Sequence, residues 1–117
     1  MRKFYVIDDN DLSGKRVSTF FHGKGEFEVI SSTRPPKLLS RGHWIFLKLD
    51  FDCEWNGEQA LEYIRENPGQ NFVVLACPGE EQIVERAIGA GARDFLFKPL
   101  RNRDMERLFD HKIKNEL

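Results

Sequence analysis

Long hydrophobic runs are missing from this chain. The apolar run Trp44 to Leu47 is interrupted by Lys48, and no segment approaches the roughly 20 apolar residues of a membrane-spanning helix. No cleavable leader is expected either, since Met1-Arg2-Lys3 leads directly into a strand-like pattern with no apolar core and cleavage site. Cysteine is scarce: Cys53 and Cys77 are the whole complement, which excludes the disulfide framework of a small secreted domain. In a reducing compartment both stay thiols, and a cytoplasmic location is the expectation. An excess of one charge is also lacking, since 18 Lys and Arg stand against 19 Asp and Glu. That balance gives no general attraction to nucleic acid or anionic membrane. No recognition-helix unit or basic stripe is visible, so direct nucleic-acid binding is not expected. His22, His43 and His111 are scattered without ligand spacing.

What is present is an alternation of short apolar runs with helical patterns, the signature of repeated βα units and a parallel sheet. Phe4 to Ile7 reads as a first strand, followed by a helical stripe of Leu12, Val17, Phe20 and Phe21. Phe27 to Ile30 reads as a second strand. Pro35-Pro36 then permits only a short helix through Lys37-Leu38-Leu39. Trp44 to Leu49 is a third strand, apolar on both faces except at Lys48, as the centre of a parallel sheet requires. Asn56 or Gly57 opens a helix with Ala60, Leu61 and Ile64 on one face. Phe72 to Ala76 is a fourth strand, and a helix from Glu80 is expected to bury Ile83, Val84, Ala87 and Ile88. Asp94 to Phe97 is a fifth strand, and Met105, Leu108 and Phe109 mark a last amphipathic helix. Five strands and five helices fill one domain over residues 1–117, with no linker, repeat or low-complexity segment.

Polar groups stand at three strand ends: Asp8-Asp9, Asp50 with Asp52, and Lys98. Right-handed crossovers keep the ends of parallel strands on one side of the sheet, so these groups converge if the first, third and fifth strands lie close together. Several carboxylates beside one amine describe a site for a hard cation such as Mg2+ next to a phosphate-binding lysine. One carboxylate of such a set can attack a phosphoryl donor to give an aspartyl phosphate. Taken singly, Asp8-Asp9 also suits a turn or a helix cap, and Phe95 suits ordinary core packing.

The run Tyr5-Val6-Ile7-Asp8-Asp9, an Asp after the third strand, and Gly89-Ala90-Gly91-Ala92-Arg93-Asp94-Phe95-Leu96-Phe97-Lys98-Pro99-Leu100 resemble the receiver domain of two-component response regulators. The resemblance covers essentially the whole chain, and its C-terminal run is the most specific part. It implies a (βα)5 doubly wound, five-stranded parallel sheet of the flavodoxin-like receiver fold. It implies that Asp8 and Asp9, with Asp50, bind Mg2+, and that Lys98 contacts a phosphoryl group carried by Asp50. It implies a cis peptide at Lys98-Pro99, a conformation proline makes accessible, and a reporting aromatic at Phe95. The implied partners are a histidine kinase or phosphotransfer protein and a downstream output protein or domain, with a homodimer through the last two helices and strand as one assembly.

The chain departs from the receiver pattern in two places. Receivers carry Ser or Thr at the end of the fourth strand to hydrogen-bond the phosphoryl group, and that position here is Ala76, followed by Cys77. Receivers also place a proline after the acceptor and a glycine eight residues beyond it. Here the proline is missing, and counting back eight from Gly57 lands on Leu49. A one-residue deletion makes Asp50 the acceptor, the preferred register; Asp52 is the reserve, and Leu49 in the acceptor place would exclude phosphotransfer there. A degenerate receiver that binds a partner without phosphorylation is thus the alternative function. Leu49-Asp50-Phe51-Asp52 also resembles the D-x-D motif of haloacid-dehalogenase-type phosphatases, but that motif belongs on a first strand, and the chain is expected not to be an enzyme. Cys53 and Cys77 follow the third and fourth strands; two small, partly buried thiols are the expectation over a redox pair.

Overall fold

The structure, a computed structural model, describes residues 2–25, 27–37, 42–49 and 56–116. Its elements run β1 (Arg2–Ile7), α1 (Asp11–Phe21), β2 (Phe27–Ser32), β3 (Trp44–Lys48), α2 (Gly57–Glu66), β4 (Asn71–Ala76), α3 (Glu81–Ala90), β5 (Asp94–Phe97) and α4 (Asn102–Leu108). The chain stays helical beyond α4, through a wider turn at Phe109–Ile113 and a tighter one at Lys114–Glu116. The five strands form one sheet in the order β2-β1-β3-β4-β5, and every neighbouring pair is parallel. Four α-helices are present among the described residues; of the short helix expected at 37–39, Lys37 is not helical and Leu38-Leu39 lie outside the described residues.

Strand alternation divides the core in two, because successive side chains point to opposite faces. One face carries Phe4, Trp44, Phe46, Val73 and Leu75, covered by Val17 and Phe21 of α1 and by Met105 and Leu108 of α4. The other carries Ile7, Ile45, Leu47, Phe72 and Val74, covered by Leu61 and Ile64 of α2 and Val84 and Ala87 of α3. The first face is aromatic: the Phe4 ring meets those of Phe21 edge-on and Phe27 stacked, both at 4.7 Å between centroids. Each such buried side chain contributes about 1.5–3 kcal/mol relative to exposure, so β3, with Trp44 to Leu47 wholly buried, anchors both halves.

Caps set the helix starts. The Asn10 side chain accepts the Leu12 N–H at 2.9 Å to open α1, and Asn56 with Gln59 forms a reciprocal capping box at α2. Two expected core residues point outward instead: Leu12 is 63% and Ile88 41% exposed. On α1 the inward stripe is Ser13, Gly14, Val17 and Phe21. Small residues are needed there because a Cβ on Gly14 would lie 2.1 Å from Ser31 Oγ of β2.

Candidate functional site at the carboxyl ends of the strands

β1, β3, β4 and β5 end on one rim, the edge of an open α/β sheet where ligands bind. β1 and β3 are neighbours, and β5 stands two positions beyond β3 with β4 between them. Lys98, the first residue after β5, nevertheless reaches across: its Nζ lies 2.5 Å from Asp8 Oδ2. Its backbone N–H extends the ladder by donating to the Ala76 carbonyl at 2.8 Å, and the Lys98-Pro99 peptide is cis. The Leu100 carbonyl, two residues after Lys98, accepts from Arg16 of α1 at 2.7 Å, which ties the loop after β5 to the helix beside the acids.

Asp8 is the buried member of the acid pair. Its side chain is 1% exposed, and three donors satisfy it: Lys98 Nζ, the Ser13 hydroxyl at 2.5 Å and the Asn10 N–H at 2.9 Å. A carboxylate withdrawn from water is retained only with such pairing and hydrogen bonding. Ser13 was not singled out by sequence; the available signal was a hydroxyl in the first turn of α1, on the stripe otherwise given to small and apolar residues.

Asp9 faces a different partner. Lys48 Nζ, at the end of β3, donates to Asp9 Oδ1 at 2.9 Å, with side-chain exposures of 21% for Lys48 and 32% for Asp9. The hydrogen bond from Lys48 is the largest influence on Asp9 and holds its carboxyl below the usual value against the opposing effect of burial. Burial works against the Lys48 ammonium, but the bond to Asp9 and the charges of Asp9 and Asp8 together raise its pKa above the usual value.

The register of β1 on β3 pairs Ile7 with Leu47. Continued along both strands, it sets Lys48 level with Asp8 and Leu49 level with Asp9. The Leu49 side chain is fully buried in the aliphatic cluster with Ile7, Leu47 and Ala76. Asp50, Asp52 and Cys53 lie outside the described residues. At the end of β4, the Ala76 methyl is likewise buried in that cluster, and Cys77 beyond it is an exposed free thiol. Phe95, 37% exposed, packs edge-on against Phe97 at 5.5 Å and lines a hollow with Glu81, Val84, Glu85 and Ile88. A cleft of about 490 Å3 opens beside the acids, between Leu12, Ser13 and Arg16 on one side and Cys77, Pro78, Lys98 and Pro99 on the other.

The described residues do not fit a divalent cation. Such an ion needs several free oxygen ligands, whereas Asp8 and Asp9 are each bonded to an ammonium. Among the described residues, no group of three or more His, Cys, Asp or Glu side chains is arranged to hold a metal.

No family model matches the sequence. Similarity to known proteins is direct all the same. The two-component response regulator ORR11 of Oryza sativa subsp. indica is 26% identical over 97 residues, covering 80% of this chain and 61% of that protein. The two-component response regulator ORR3 of the same rice is 29% identical over 98 residues, covering 84% of this chain and 72% of that protein. The chain thus spans about three fifths of the length of ORR11. Among solved structures, full-length FixJ from B. japonicum superimposes with a TM-score of 0.76 at 18% identity, over 98% of this chain and 59% of that one. The sheet order, the acids after β1 and the lysine after β5 define the class as the (βα)5 receiver fold. The similarity to the rice regulators, together with this fold, supports a response regulator receiver domain of the two-component type. Receiver domains are signalling domains rather than classical enzymes.

Proposed function

We propose that this receiver works as a protein-interaction module whose surface is set without phosphorylation. The observation that carries this reading is Ala76. It ends β4 beside Lys98, its carbonyl accepts the Lys98 N–H, and its methyl is packed into the aliphatic core. A phosphoryl group at this rim would find no hydroxyl on β4 to bond and draw inward, so the link from phosphorylation to the Phe95 surface lacks its middle piece. Leu49 at the level of Asp9 supports the same reading.

The partners proposed are a downstream output protein or domain and a histidine kinase or phosphotransfer protein, bound as surfaces rather than as phosphoryl donors. The hollow around Phe95 is the proposed contact, and a homodimer through the last two helices and β5 would use the same side. No helix among the described residues is long and apolar enough to cross a membrane; with two cysteines in the whole chain, the domain suits a reducing cytoplasm.

Phosphoryl transfer to Asp50 with Mg2+ is the second reading, favoured by the Asp8-Lys98 half of the rim, which keeps the lysine at the acids. Incubating the full chain with acetyl phosphate and Mg2+, followed by intact-mass measurement, separates the two. No gain of a phosphoryl mass is expected. A stoichiometric gain that disappears in Asp50→Asn would establish the second reading, and a gain lost only in Asp52→Asn would move the acceptor to the reserve position.

A further inference from the structure

We propose that the Lys48 ammonium is a built-in counter-cation of this rim, standing against Asp9 where a receiver would hold its divalent ion. The inference rests on the receiver assignment but not on the phosphorylation-independent reading.

Three observations carry it. First, the charges of the four described rim groups cancel in pairs, Asp8 with Lys98 at 2.5 Å and Asp9 with Lys48 at 2.9 Å. That leaves no net negative potential among them to attract a dication. Second, Lys48 comes from the end of β3, a strand whose preceding four residues are wholly buried. Desolvation there opposes a charge, and burial does act against this one. Among the described residues the cost is offset by the bond to Asp9 and by the charges of Asp9 and Asp8. Third, the side chain is held by geometry: the β1-β3 register sets Lys48 beside Asp8-Asp9, and its backbone neighbour Leu49 is tied to β4 through the Leu75 carbonyl at 3.3 Å. A tethered ammonium has a high effective concentration and does not dissociate. The four described groups are therefore charge-compensated at any Mg2+ concentration.

The test is direct binding of Mn2+, read by electron paramagnetic resonance of the free ion, with Mg2+ as competitor. Full-length wild-type protein, Lys48→Met and Lys48→Arg are compared. Lys48→Met is expected to bind Mn2+ at least about tenfold more tightly than wild type, because a cation is removed from contact distance. Lys48→Arg keeps the charge and is expected to match wild type. Equal binding by wild type and Lys48→Met, whether tight or absent, overturns the proposal, with circular dichroism confirming that the variant is folded. Lys48→Gln gives the same comparison if the methionine variant fails to fold. The phosphoryl-mass experiment reports on the functional reading and the Mn2+ measurement on this one, so either can fail alone.

Discussion

Asp8 and Asp9 are adjacent and chemically identical, and the fold gives them opposite circumstances. Asp8 is turned in, 1% exposed, with Lys98, Ser13 and the Asn10 N–H filling its bonding capacity. Asp9 is turned out, about one third exposed, and meets Lys48 through one oxygen. The first arrangement is a buried ion pair whose value lies in not being broken. The second is a partly solvated pair, where water screens most of the attraction. A pair of acids at a strand end therefore does not act as a unit. One member is structural to the rim, and the other holds the Lys48 ammonium at its outer edge.

The largest effect that tests this contrast is loss of Lys98. Lys98→Met leaves the Asp8 carboxylate buried with two donors and no counter-charge, at a cost of about 3–5 kcal/mol, to be measured by urea unfolding. Adding Asp8→Asn to the same chain is expected to recover much of that loss, since the uncompensated charge is gone. A Lys98→Met variant within about 0.5 kcal/mol of wild type would show that Asp8 is solvated and would erase the distinction between the two acids. Ser13→Ala comes next. It removes one hydrogen bond to a buried charge, worth about 1.5–3 kcal/mol, and the same unfolding measurement should place it between Lys98→Met and any change at Lys48.

How much of this was legible in the sequence follows from how far each feature depends on chain-distant contacts. The strands and their parallel order were readable because period and composition are local: Phe4 to Ile7 and Phe72 to Ala76 admit little else. The run ending Lys98-Pro99 likewise carried the rim lysine. The outward turn of Leu12 was not readable, since apolar spacing alone favours it as core. What decides the inward stripe is the approach of α1 to β2, where Gly14 meets Ser31. Ile88 is similar: α3 is held by Val84 and Ala87, and Ile88 is left on the side of Phe95. Lys48 was conspicuous as a charge in a central strand, but its partner required the β1-β3 register. Ser13 was silent because a serine in a first helical turn has several ordinary uses.

The smallest effect is the most discriminating for the exposed pair. Lys48→Met is expected to lose no more than about 1 kcal/mol at neutral pH, as partly exposed ion pairs do, and less at high salt. Its pH dependence has a definite shape. The folded-state pKa of Asp9 is held below its ordinary 3.8, so the stabilisation is fully present above that value and disappears as pH falls through the lowered one. The folded-state pKa of Lys48 is raised above its ordinary 10.5, so the stabilisation is fully present below that value and is lost as pH rises through the raised one. The gap in unfolding free energy between wild type and Lys48→Met should hence stay flat from about pH 5 to 9 and close in acid. A gap that persists undiminished in acid would assign the effect to packing of the Lys48 stem. A gap as large as that of Lys98→Met, insensitive to salt, would make Asp9 a second buried acid and remove the asymmetry between the two carboxylates.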